Sequence, residues 1–291
     1  MIDAHHHIWL QKDLPWLLGP EQPRIFGSYS AIKRDYTIDE YLEDIKGSGI
    51  EKSVYVQANW APDQYEQEVA WVQSVSEEMG WPHAIVGYAD FTSPDVRPQL
   101  DALSKYPLMR GVRQQFHWHE NPTYRFAAQP DLCEQAHVQR NIAYLADYGW
   151  SFDLQLFTSQ MYSGAELAMA CPQVTFILQH AGMLEDASAM GVANWSDGME
   201  ALASCPNVVT KLSAFGTFIH RNDPAFIAEM INRTINIFGA KRCMFGSNFP
   251  IEKIWTSYHT LLTAFENATT SLGVSCREAI FYRNATRIYR I

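Results

Sequence analysis

The stretch Ile2-Asp3-Ala4-His5-His6-His7-Ile8-Trp9 sets three of the chain's ten histidines, with an aspartate, in an apolar frame. Its apolar residues read as a buried strand, and side chains on a strand alternate between its two faces. His5 and His7 therefore share a side, where two imidazoles can hold a metal or polarise a carbonyl. A tag remnant would be longer and would lack the apolar frame. Histidines that merely fill a core are the bland alternative. The functional reading is a barrel enzyme whose site is built around this strand.

Outward from that stretch one pattern recurs: a short apolar strand, a polar loop, then an amphipathic helical segment. Strands are expected at 2–9, 52–59, 83–90, 109–116, 151–157, 174–180, 208–213 and 242–248. Helices are expected at 37–47, 65–79, 96–105, 131–148, 163–170, 196–203, 255–269 and 275–289. Thr37 followed by Glu40 looks like an N-cap with a capping box. No tight hairpin turn joins two strands, so the sheet should be parallel. Eight such units in 291 residues predict an α/β fold, a single-domain (β/α)8 TIM barrel spanning the whole chain. A doubly wound open sheet is the alternative, but no GxGxxG or GxxxxGK[ST] follows the first strand. Two long loops, 10–37 and 118–130, are rich in aromatics and prolines or charged groups and are expected to cover a site at the C-terminal rim.

Composition narrows the class. Hydrophobic residues make up 47% of the chain and charged residues 19%, which supplies a large core and excludes disorder. A net charge of -10 argues against nucleic acid or an anionic membrane as partner, while leaving room for a small anionic substrate held by a local cation. The five cysteines are scattered and form no CxxC pair, as expected for reduced thiols in the cytoplasm. Neither a signal peptide nor an 18-residue apolar run is read. Assembly as a homo-oligomer is compatible with the sequence.

Strands of a parallel barrel should be almost wholly apolar, because both faces are buried. Here their C-terminal halves carry His5 and His7, Gln57 and Asn59, Asp90, Arg113 and Gln115, Asp153 and Gln155, His180, Lys211 and Ser213, and Asn248. Burying each of these unpaired would cost a few kcal/mol, on the order of 1–3 for an amide and more for a charge. Convergence at one rim, where they solvate each other and a ligand, removes that cost, and that rim is the active face of such barrels. Competing readings are open residue by residue. Gln57 and Gln155 could be satisfied core amides, Arg113 and Lys211 could pair with Asp153 or Asp90, and His180 could be a core histidine. Asp3 is expected to hold the histidine strand in place.

These residues resemble a known pattern. Asp3-Ala4-His5-His6-His7 resembles the strand-one Asp-x-His-x-His of the amidohydrolase superfamily, and more closely its amidohydrolase-2 branch of TIM-barrel hydrolases, which includes lactonases. Gly111-Val112-Arg113-Gln114, Leu178-Gln179-His180-Ala181-Gly182, Lys211-Leu212-Ser213, Phe245-Gly246-Ser247-Asn248-Phe249-Pro250 and the closing Phe281-x-x-Asn284-Ala285-x-Arg287-x-Tyr289 match in order. The resemblance implies that His5, His7 and His180 are ligands of one divalent metal, zinc first, in metal-dependent relatives. In metal-free lactonase relatives they would be carbonyl-polarising or substrate-binding groups. It implies that Arg113 grips an anionic part of the substrate, as its planar fork suits. This chain departs at Asn248, where the family has an aspartate. An amide is neither a general base near neutral pH nor a negative ligand. The base could instead be His180, or Glu252 four residues on, or Asn248 could orient the water for a reactive lactone.

The expected function is hydrolysis of a small cyclic ester, a sugar-acid or aromatic-catabolism lactone, by water attack on the ring carbonyl. His5, His7, His180 and Asn248 are the catalytic candidates; Arg113, Gln57, Gln155, Lys211 and Trp9 are the substrate-binding ones, with Trp60 and Trp118 as further apolar walls. The alternatives are a metal-dependent decarboxylase or other carbon–carbon lyase, and a non-catalytic binding relative.

Overall fold

The computed structural model describes residues 1–291. Eight strands form one parallel sheet in sequence order: β1 Ile2–His6, β2 Lys52–Val56, β3 Ala84–Gly87, β4 Met109–Gln115, β5 Ser151–Gln155, β6 Phe176–Leu178, β7 Val208–Leu212 and β8 Cys243–Phe245. The helices are α1 Ile38–Ile45, α2 Tyr65–Met79, α3 Arg97–Leu103, α4 Ala136–Ala143, α5 Leu145–Tyr148, α6 Met161–Ala170, α7 Ala189–Ser204, α8 Pro224–Phe238, α9 Tyr258–Ala268, α10 Val274–Glu278 and α11 Asn284–Tyr289. Past the last strand the chain returns to the first: the Asn248 amide donates to His5 O at 2.8 Å and the His7 amide to Phe249 O at 2.8 Å. The sheet is thus a (β/α)8 barrel, joined through the residues that carry its chemistry.

Two apolar layers hold it. Ile2, Ala4, Val54, Val56, Ala84, Val86, Ile177, Val209 and Met244 fill the lower barrel, closed underneath by Ala285 and Tyr289 of α11. A larger core lies between the barrel and its helices. No helix is long and apolar enough to cross a membrane.

Some expectations need adjustment. Every strand is shorter than expected at its C-terminal end, so His7, Gln57, Asn59, Asp90, His180, Ser213 and Asn248 lie just past the strands, while His5, Arg113, Gln115, Asp153, Gln155 and Lys211 stay on them. Helix α8 has no range in the sequence reading, although its ends are well marked. Asp223 caps it by accepting from the Ala225 and Phe226 amides, Pro224 opens it and Gly239 follows it. The capping box at Thr37 does not form. Glu40 instead pairs with Arg34 and Lys253, because charged donors outcompete a backbone amide for its carboxylate.

Candidate active site

The site begins with a defect in β1. Its pairing with β2 shifts register between Asp3 and His6. Ala4 faces the barrel interior, yet so does His5, while His6 turns outward and stacks on Tyr41 at 3.9 Å. The bulge lets one strand place apolar residues below and both His5 and His7 above on the inner face. Asp3 clamps this bend: it accepts from Tyr41 and Tyr258 hydroxyls at 3.0 Å each, the Ser247 amide at 2.8 Å and the His5 amide at 3.1 Å.

A chain of hydrogen bonds sets the proton positions on the two rings. Lys211 Nζ lies 2.8 Å from Asp153 Oδ2, both side chains fully buried, and 3.5 Å from His5 Nδ1. An ammonium can only donate, so His5 Nδ1 accepts and its Nε2 carries the hydrogen. His5 Nε2 is 3.3 Å from His7 Nε2, which accepts, and His7 Nδ1–H donates to Val56 O at 2.7 Å. Burial first, then the cations Lys211 and Arg113, hold both imidazoles well below their usual pKa.

Above them lies a cavity of about 400 Å³ bordered by His7, Gln57, Glu68, Arg113, Gln155, His180 and Asn248, with Trp9, Trp16, Trp60 and Phe26 among its apolar walls. His180 does not continue β6. It stands in a left-handed turn (φ 56°), followed by Ala181 (φ 47°), a conformation L-residues rarely hold unless the surroundings impose it. The turn puts His180 Nδ1 2.8 Å from Ser213 Oγ and brings its ring to the cavity, with burial, then Arg113 and Lys211, keeping it neutral. Asn248 is also left-handed (φ 57°), a conformation asparagine tolerates. Arg113 Nη2 donates to Gln57 O at 2.5 Å and Nη1 to Gln155 Oε1 at 3.5 Å. Burial lowers the Arg113 pKa to about 10, so it stays charged at neutral pH.

Most sequence candidates therefore meet: His7, His180, Asn248, Arg113, Gln57, Gln155 and Trp9 all border the cavity. Three do not. His5 lies beneath His7. Lys211 is walled off by Asp153 and His5, so it cannot grip a substrate anion; the competing ion-pair reading of this lysine is the one the structure has. Trp118 turns away under the Arg125 guanidinium at 4.9 Å, so of the three tryptophans expected as walls only Trp9 and Trp60 border the cavity. The long loops do cover the site, through Trp16, Arg24 and Phe26 from one and Tyr124, Arg125 and Phe126 from the other.

Glu252 sits behind Asn248. Its Oε2 accepts from Trp255 Nε1 at 2.8 Å, its Oε1 has no partner, and burial pushes its pKa up to about 8 against the pull of Trp255 and Asn248. A Cβ on Gly216 would come within 2.7 Å of Glu252 Oε2, so only glycine admits this arrangement. Glu68 and His117 also border the cavity. Glu68 could have been found: it is a charge next to Val69 on the inward stripe of α2. His117, buried to a pKa of about 3, stands among rings of Phe126 and Phe157 that no local pattern announces.

A divalent metal on His5, His7 and His180 needs lone pairs on all three rings. The 3.3 Å between His5 and His7 Nε2 would suit a zinc pair, with Zn–N of about 2.0–2.1 Å. The Lys211 ammonium, however, forces the hydrogen onto the very His5 nitrogen that would have to bind. No three His, Cys, Asp or Glu side chains are placed to hold a cation together, and Asn248 adds no charge. Of the two possibilities left open by the sequence, a zinc held by His5, His7 and His180 does not fit this placement of hydrogens and donors.

Fold and rim together define a (β/α)8 barrel with a polar-rimmed cavity where its strands end. The Amidohydrolase family model (Amidohydro_2) matches residues 2–291, and the chain belongs to that family. It is 36% identical over 293 residues to an uncharacterised protein of Sinorhizobium fredii, covering 100% of this chain and 98% of that one. It is 25% identical over 303 residues to the L-fucono-1,5-lactonase of Burkholderia multivorans, covering 100% and 96%. A crystal structure of a Burkholderia multivorans amidohydrolase with bound zinc has the same fold, with a TM-score of 0.83 at 23% identity and coverage of 100% and 99%. Family and relatives support a hydrolase-type enzyme.

Proposed function

We propose that the protein hydrolyses a small cyclic ester by attack of water on the ring carbonyl. The observation that carries this reading is the convergence of His180, Asn248 and Arg113, from the ends of three different strands, on one largely apolar cavity. His180 Nδ1 is 2.8 Å from Ser213 Oγ; in the tautomer that donates Nδ1–H to this hydroxyl, the other ring nitrogen presents a lone pair to the cavity. That nitrogen takes a proton as the water oxygen bonds to the carbonyl carbon. Arg113 and the Asn248 amide donate to the developing oxyanion. Collapse breaks the ester C–O bond, and the His180 imidazolium returns its proton to the leaving alkoxide, yielding a hydroxy acid. His5 and His7 position this assembly: both His7 nitrogens are engaged, so it does not donate to the oxyanion. The full-length lactonase relative supports the cyclic ester as substrate. Three cavity-lining arginines, Arg24, Arg113 and Arg125, in a chain of net charge -10, favour a polar or anionic one.

The test is a panel of sugar and aromatic lactones followed by pH-indicator titration. Hydrolysis above background is expected, and His180→Ala should cost at least about 100-fold in kcat. A folded protein that opens none of them overturns the reading.

A further inference from the structure

Glu68 is a buried carboxylate that the mechanism above does not use. It lies in the first turn of α2, 1% exposed, and borders the cavity. Both of its hydrogen bonds fall on one oxygen: Tyr55 donates its hydroxyl to Oε1 at 2.7 Å and Ala58 its amide at 2.6 Å. Oε2 takes no bond from the protein, and it is not among the sealed, unpartnered atoms of the core. An acceptor held rigid by two donors, with its second oxygen open to a ligand space, is a preformed recognition group. Water in the cavity can solvate this oxygen, so a ligand that displaces that water must supply a donor in its place or forfeit the carboxylate's hydration. A cationic ligand group is disfavoured, since Arg113 and two further arginines border the same space. A substrate carboxylate would be repelled by the ionised form of Glu68, whose pKa burial raises to about 7 against the pull of the Ala58 amide and Tyr55 hydroxyl. A hydroxyl meets both conditions.

We propose that Glu68 accepts a hydrogen bond from a ring hydroxyl of the substrate, and so selects hydroxylated lactones of the sugar-acid class over unsubstituted ones. The proposal rests on the lactonase reading. Glu68→Gln isolates it. Tyr55 and Ala58 both donate into the Oε1 position, so the glutamine carbonyl must take that place and its NH2 faces the cavity. The structural bonds survive while the open acceptor becomes a donor.

The experiment compares kcat/KM for glucono-δ-lactone and δ-valerolactone in the wild type and in Glu68→Gln. The hydroxylated-to-plain ratio is expected to fall about 10- to 100-fold, the size of a hydrogen bond to a charged group. A purely structural role would lower both substrates together and leave the ratio unmoved. A ratio within about 3-fold of wild type overturns the proposal. Should Glu68→Gln not fold, Glu68→Asp withdraws the carboxylate by one carbon at constant charge, and the same fall is expected. Should the wild type open neither these two lactones nor any other of the panel, the lactonase reading fails by itself. Calorimetric titration with the matching aldono-lactam then decides: binding lost in the variant sustains the Glu68 assignment, and binding that is equal, or absent from the wild type, overturns it.

Discussion

Replacing Lys211 by methionine should destabilise the protein by about 3–5 kcal/mol, the cost of leaving one member of a buried ion pair alone. Lys211 and Asp153 are both fully buried and 2.8 Å apart. Without the ammonium, Asp153 Oδ2 keeps only the Gln179 amide at 2.8 Å, and Oδ1 already has no partner. Methionine fills much the same volume as the lysine stem, so lost packing contributes little. The destabilisation comes from the uncompensated carboxylate, and removing that carboxylate too should restore most of it. Lys211→Met with Asp153→Leu is therefore expected within about 1–2 kcal/mol of wild type. In a chain of this size about 2 °C follows each kcal/mol, so the single variant should melt roughly 6–10 °C lower. Urea unfolding followed by circular dichroism, with calorimetric Tm values, measures both. A single variant within about 1 kcal/mol of wild type, or a double variant as costly as the single, would mean that Lys211 is not locked to Asp153 in the core. The lysine would then be free to meet a substrate, and the hydrogen positions assigned to His5 and His7 would lose their anchor.

Two further outcomes follow from the same groups. Glu252 is pushed from 4.5 to about 8 by burial, so the folded chain keeps a proton that the unfolded chain releases in between, and stability must fall as pH rises through that window. Glu252→Gln should flatten the decline of Tm between about pH 5 and 8; a decline as steep as in wild type refutes the assignment. Dialysis against a chelator is expected to leave lactone hydrolysis within about 2-fold, because the contact with the Lys211 ammonium sets a hydrogen on the His5 nitrogen that a cation would need; loss restored by zinc refutes it.

The barrel could be read before folding because its signals are local. Period-two apolar runs, helix caps and the absence of hairpin turns each depend on a few neighbouring residues, and eight repetitions admit few closed arrangements. Even α8, given no range, carries Asp223-Pro224 at one end and Gly239 at the other. The rim was legible for a related reason: a polar residue at the end of a strand buried on both faces is anomalous wherever it occurs. His7, Arg113, His180 and Asn248 stand out on that ground alone.

The role of each residue was not legible, because a role depends on which atoms face one another. Arg113 and Lys211 look alike in the chain, each a cation near a strand end. Arg113 borders the cavity, while Lys211 meets a carboxylate and an imidazole from two other strands, some 58 and 206 residues away. Glu68 and Glu252 are ordinary helix and loop glutamates until packing strips their water. The sequence by itself determined the barrel and the end of it at which the cavity lies, since periodicity and burial are properties of short segments. Only the closed barrel assigned the proton on His5, the buried lysine and the open oxygen of Glu68, since hydrogen bonding and desolvation act between residues far apart in the chain.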